Sequence, residues 1–312
     1  MESLVSKHIM VKTNKTRLDK VLPEVKEWPS GLLPQFGWLD GYLEERENVG
    51  LATEDLFGAA MQEAGSSLLA ALDGRWLNAN QHMTSGFVRM LYADMIGIAL
   101  LRGTDRTIVS DLDTATKTMF GSIAMGQPQL VKPFHQVVFA GIDGGYGVDD
   151  GHNPPLGSTL RYAAFGLSII GDWLGEPLDL DKHKLPRDPA WGLLVANWRE
   201  PDPAKLLPIL VQACDTHVER IAVTGREVDV ESAKYEFGSV FEAVYPAEIL
   251  AVLRLREMEG LSNPERIDHS LMQTPYARIT CRPGELPLQD ELLDRFIATV
   301  RRRDPQVLPA GV

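Results

Sequence analysis

His135, Asp143, Asp149, Asp150 and His152 fall within 18 residues and offer the richest chemistry in the chain. Imidazole and carboxylate groups hold zinc or calcium when they converge at tetrahedral or octahedral geometry, and a bound ion can activate water for hydrolysis. The spacing here follows no such ligand order. With Asp143 at position 1 of an EF-hand loop, positions 3 and 5 are Gly145 and Gly147, and position 12 is Pro154 where a bidentate glutamate belongs. No HExxH pair occurs. Turns collect Asp, Asn and Gly for their own geometry, so Gly141 to Gly151 reads first as a structural loop. The competing reading is a helical metal-dependent hydrolase built on Asp143, Asp149, Asp150 and His152.

Other constellations are weaker. The phosphate loop GxxxxGK[ST] and the nucleophile elbow GxSxG are absent, and Gly121-Ser122 and Gly157-Ser158 are isolated matches. Cys214 and His217 lie three apart on an apolar helix face, which fits packed core better than a catalytic dyad. Glu236 and Glu242 read as carboxylates on a solvated face. No catalytic residue, metal ligand or cofactor is predicted from these groups. The segment Asp40 to Glu63 stands apart because its charge can be counted. Asp40, Glu44, Glu45, Glu47, Glu54, Asp55 and Glu63 face a single base, Arg46, giving a net −6 in 24 residues. A single-sign field of that density steers a basic partner and raises its association rate, so Asp40, Glu44, Glu45, Glu47, Glu54 and Asp55 are the predicted partner contacts.

The elements that must position these groups are helical. The 312 residues are 44% apolar and 24% charged, an ordinary globular composition, and length alone suggests two domains or one large one. After an irregular leader over residues 1–50 with Trp28, Phe36 and Trp38, the pattern Thr53, Leu56, Phe57, Ala60, Met61, Ala64, Leu68, Leu72 has helical period, with Thr53 as its cap. Similar faces run from Phe87 to Ala99 and from Leu112 to Ile123, closing at Gly103 and Gly126. Beyond the Gly/Pro-rich stretch 141–157, Ser158 opens an apolar run to Trp173. Asp188-Pro189 and Asp202-Pro203 each place a carboxylate at the cap and a proline in the first turn. Pro246 opens a helix through Glu259, with Leu250, Leu253 and Met258 on its core face and Arg254, Arg256 and Glu257 opposite. Asp290 caps a last helix to Arg303, and Arg278 to Cys281 is the one candidate strand. The expected fold is mainly α, layered helices with short loops and at most minor β. It divides into an N-terminal region, 1–140, and a C-terminal region, 158–312, or forms one integrated domain.

The exclusions are firmer. A net charge of −12 argues against nonspecific nucleic-acid binding, which needs clustered cations. The best membrane candidate, Tyr162 to Gly171, is ten residues long where a span needs about 20. Residues 1–17 lack the apolar core of a secretory signal. Two cysteines 67 positions apart form neither a zinc motif nor a disulfide scaffold, which fits a reducing, cytoplasmic setting.

The run Tyr235-Glu236-Phe237-Gly238-Ser239-Val240-Phe241-Glu242-Ala243-Val244-Tyr245-Pro246-Ala247-Glu248-Ile249-Leu250 continues to Arg254-Leu255-Arg256-Glu257 and to Asp268-His269-Ser270-Leu271-Met272. It resembles the helical immunity proteins encoded beside polymorphic toxins and type VI secretion effectors in Gram-negative bacteria. The likeness takes in Arg161-Tyr162-Ala163-Ala164, Gly171-Asp172-Trp173-Leu174 and Asp188-Pro189-Ala190-Trp191, covering about 158–275 and none of the first 80 residues. The resemblance implies a stoichiometric inhibitor without catalytic residues, acidic and cytoplasmic. Its partner would be a cognate and basic toxin, in particular one with a restriction-endonuclease-like nuclease domain. Homodimerisation is left open.

Overall fold

Thirteen α-helices, short 3-10 turns and one isolated bridge, Ile221 to Phe237, make up the secondary structure of the residues described by the computed structural model: 15–32, 36–104, 112–143, 159–229 and 234–309. The leader is ordered where it is described. Thr16 and Asp19 form a reciprocal capping box on α1 (Arg17–Val21), which buries Leu18 and Val21. The next helix, α2 (Gly37–Leu43), has no cap of its own. Asp55 supplies it from the neighbouring helix, accepting the Trp38 and Leu39 amides at 2.8 and 2.9 Å. That neighbour, α3 (Val49–Leu72), begins one turn before Thr53 because Asn48 accepts the Leu51 amide at 3.1 Å, while the Thr53 hydroxyl turns back to the Gly50 carbonyl.

Helix α4 (Trp76–Ala99) returns against α3 as a long antiparallel hairpin. Then α5 (Leu112–Ala124) runs through the middle, touching α4, α6 (Pro128–Asp143), α7 (Arg161–Leu174) and, far along the chain, α12 (Ala247–Met258). Two glycines permit that enclosure. A Cβ on Gly121 of α5 would lie 1.9 Å from the Phe87 ring of α4, and one on Gly166 of α7 would lie 2.2 Å from Thr116 of α5. Asp113 on α5 accepts the amides of Thr159 and Ala163, fixing the start of α7.

The Asp-Pro starts behave as their chemistry predicts. Asp188 and Asp202 cap α8 (Pro189–Asn197) and α9 (Pro203–Glu219) through the amides of Ala190 and Ala204. After the short α10 (Gly225–Asp229) and α11 (Val240–Val244) comes α12, closed at Gly260 with φ 75°. Finally Asp290 caps α13 (Glu291–Arg303), and Arg89 of α4 grips the same carboxylate through Nε and Nη2 at 2.7 and 3.0 Å. Residues 278–281 form no strand. Pro275–Arg278 is a 3-10 turn, and the Cys281 amide donates to the Ala124 carbonyl at the end of α5. Buried residues from Leu18 to Val307 join in one hydrophobic cluster, so helices on both sides of residues 141–157 share a core. Among the described residues no helix is long and apolar enough to cross a membrane.

The polar face expected on α12 is not there. Arg256 is fully buried, and its guanidinium donates to the Trp198 and Ser262 carbonyls, both at 2.6 Å, and to Asn263 Oδ1 at 3.0 Å. Arg254 is also buried and pairs with Glu257. The helix is covered nearly all round, and its cation is spent on carbonyls left over at the end of α8 and in the following loop. Leu250 is buried as its spacing implies, whereas Met258 is 41% exposed. Leu250→Ala should therefore cost about 2–5 kcal/mol in denaturant unfolding, and Met258→Ala less than about 0.5 kcal/mol. Equal losses would mean that the core side of α12 is misassigned.

Candidate functional site

The predicted acidic contacts gather at the corner between α2 and α3, but they are not equivalent. Asp40, Glu44, Glu45 and Glu54 are exposed and Glu47 is half-buried. Asp55 is only 6% exposed and is occupied as the cap of α2, so it leaves the contact set. The counted field is also weaker than the local sequence implies, because α13 brings arginines to the corner. Glu44 pairs with Arg46, Glu45 pairs with Arg302, and Arg303 donates to the Tyr42 and Glu47 carbonyls. Asp40 and Glu54 have no ion-pair partner among the described residues.

Of the hydrolase candidates, Asp143 ends α6 in an ion pair with Lys182 at 2.6 Å, with His183 Nε2 3.8 Å away. Asp149, Asp150 and His152 lie outside the described residues. His135 belongs to α6 and is fully buried against Phe139, and among the described residues neither ring nitrogen has a hydrogen-bond partner. Its Nδ1 is 3.3 Å from Glu176, but burial outweighs that carboxylate and holds the imidazole pKa below its ordinary value. Among the described residues no three His, Cys, Asp or Glu side chains are placed to hold a metal ion.

A group of ionisable side chains lies mostly buried beside α5. Lys117 of α5 donates to Glu242 at 2.7 Å and to the Glu236 carbonyl, and lies over the Tyr162 and Phe237 rings. Burial would lower the Lys117 pKa, yet Glu242 holds it above the ordinary value. Burial likewise favours a protonated Glu242, but Lys117 and the Ser239 and Gly238 amides hold it below the carboxylate range. Beside them His217 faces Glu248 through Nδ1 at 2.6 Å and the Ala243 carbonyl through Nε2 at 3.1 Å. Both ring nitrogens thus meet oxygens. Tyr162 donates to the other Glu248 oxygen at 3.2 Å. Cys214 is buried, its thiol pushed far up by desolvation, which leaves it inert as a nucleophile.

Glu236 completes the network. It accepts from Trp191 Nε1 at 2.9 Å and from Arg220 at 2.7 Å, and Arg220 is shared with Asp188. Burial is the larger influence, reinforced by Asp113 and Asp188, and pushes the Glu236 carboxyl up to about 7. These groups satisfy one another, and Lys117, Ser239 and Glu242 also line a pocket of about 230 Å³. Sequence spacing assigned Glu236 and Glu242 to a solvated face. The local signal that could have placed Glu242 is Ser239 three residues before it, the pattern of a capping box, which the structure contains.

A surface cavity of about 700 Å³ is a groove between the start of α3 and the end of α4. Leu51, Phe57, Ile98 and Leu101 form apolar walls, and Glu54 and Asp94 supply its charge. Thr118 donates to Asp94 at 2.8 Å. Glu54 joins this groove to the acidic corner. Compared with protein-family models, with curated proteins and with solved structures, the chain matches none.

The interior network predicts a pH dependence. Glu236 has its folded pKa raised, so the unfolded chain ionises first as pH rises from about 4.5 toward 7. Its contribution to stability is complete below pH 4.5, is lost through that window and is constant above it. Denaturant unfolding of Glu236→Gln should show a shallower decline over the same range. An unchanged slope in the variant would assign the decline to other groups.

Proposed function

We propose that this chain is a cytoplasmic immunity protein that binds a cognate antibacterial toxin, a basic nuclease effector of type VI secretion, and blocks its active site or its assembly. It acts by occupancy, without catalytic residues of its own. The observation that carries the reading is the acidic corner: Asp40, Glu44 and Glu54 present carboxylates to solvent beside a 700 Å³ groove. The −12 net charge has the same sign. The likeness of residues 158–275 to helical immunity proteins supplies the toxin class.

The test is co-expression with the product of the neighbouring gene, scoring survival and co-purification. Protection accompanied by a stable complex is expected. A toxic neighbour that this protein neither binds nor relieves would overturn the reading.

Charge reversal then locates the contact. Asp40→Lys with Glu54→Lys alters exposed acids that hold no ion pair among the described residues, whereas Glu44→Lys, Glu45→Lys and Glu47→Lys together also release Arg46 and Arg302. Surface charges act on association and are screened within about 8 Å at physiological salt. Each folded variant should associate several-fold more slowly with the toxin at low salt and have a flatter salt dependence. Unchanged low-salt association rates would remove the corner from the interface.

A further inference from the structure

Four elements meet around the cavity of about 230 Å³ beside Lys117. Phe57 and Met61 of α3, Phe87 and Met90 of α4, and Phe241 of α11 form its apolar walls. The Phe241 ring is fixed by its neighbours, stacked on Trp28 at 6.2 Å and 9° and tilted against Phe87 at 5.7 Å. That wall is therefore set before anything enters. The polar end is the Lys117–Glu242 pair, whose side chains are 17% and 24% exposed. Its bonding has room for one more group. An ammonium has three N–H donors, and Lys117 gives two among the described residues, to Glu242 and to the Glu236 carbonyl. Glu242 Oε2 accepts the Gly238 and Ser239 amides, whereas Oε1 accepts only from Lys117 among the described residues, which leaves it a lone pair.

We propose that this cavity binds a small neutral phenol, its ring among the phenylalanine and methionine side chains and its hydroxyl between Lys117 and Glu242. The neutral head follows from the pair. A carboxylate would lie beside Glu242 and an ammonium beside Lys117, so each charged head would trade one attraction for one repulsion. A hydroxyl accepts from the ammonium and donates to Glu242 Oε1, which completes both. A wholly apolar ligand would strip water from the pair and return no hydrogen bond. The ring follows from the walls, because aromatic groups gain contact energy on tilted rings and on thioether sulfur beyond the area they bury. The size agrees. A cavity of about 150 Å³ holds benzene, so 230 Å³ takes a ring with a short substituent. The inference stands apart from the partner-binding reading, since the ligand enters the free chain.

The probe is p-cresol, titrated into the full chain while the methionine methyl resonances are followed by NMR. Saturable shifts are expected at Met61 and Met90, and none at Met258, which is exposed at the end of α12. Toluene lacks the hydroxyl, 4-methylbenzoate carries a charge and 4-methylcyclohexanol has a saturated ring, and each should bind at least fivefold more weakly. Met61→Trp puts a larger side chain into the cavity, and the folded variant should lose the Met90 shifts. Should that variant unfold, the four ligands compared on the unaltered chain still decide. Shifts that fail to saturate or appear equally at Met258 would overturn the proposal. So would binding of toluene, 4-methylbenzoate or 4-methylcyclohexanol equal to that of p-cresol, or unchanged binding by a folded Met61→Trp variant.

Discussion

A lysine ammonium buried in the central helix is the constraint on which the rest of the interior depends. Helix α5 is enclosed by α4, α6, α7 and α12, and the Lys117 side chain keeps only 17% of its surface exposed. An uncompensated buried ammonium costs several kcal/mol, so the chain must bring anions and acceptors to it. Residues 236–242 do this, supplying a carbonyl, a carboxylate and the Phe237 ring. Placing that segment against α5 imports Glu236, which then requires Arg220 and the Trp191 indole. Arg220 in turn draws in Asp188, the cap of α8. One mostly buried cation is thus linked through these contacts to the 236–242 segment, the end of α9 and the start of α8.

The same helix joins the two halves of the chain. Asp113, one turn before Lys117, caps α7, and the end of α5 accepts from Thr280 and Cys281. Those contacts span residues 113 to 281, across the Gly/Pro-rich stretch that composition marks as a seam. A seam in composition shows where the chain turns; it does not fix where the core divides. Close passage at Gly121 and Gly166 lets α5 pack tightly enough for both halves to contribute to one hydrophobic cluster.

What the sequence made legible was local. Asp-Pro at 188 and 202, Asp290 and Gly260 mark helix ends because capping involves neighbours within a few positions. The apolar periods of α3, α4, α5 and α9 likewise depend on spacing along one element. The interior network was not legible, since the partners of Lys117 and Tyr162 lie 125 and 86 residues away. Arg256 on α12 was assigned to solvent by habit of residue type, yet nearby carbonyls satisfy its guanidinium. The acidic segment failed in the opposite direction. Its charge was counted correctly, but Arg302 and Arg303 arrive from more than 250 residues away, and Asp55 is folded inward.

These outcomes divide the carboxylates by the work available to them. Glu236, Glu242 and Glu248 are committed to partners in the interior, and losing one would leave another buried group exposed to the full cost of desolvation. Glu44 and Glu45 are partly committed, through arginines that solvent can reach. Asp40 and Glu54 keep their charge toward solvent, and Glu54 also lines the groove. For the binding role proposed here, that division matters more than the total of −12. A rigid, internally satisfied core fixes Glu54 on a long helix before any partner arrives, so little conformational entropy remains to be lost on association. In that proposed role Glu54 would contribute specificity, because a partner must meet its charge as it displaces its water.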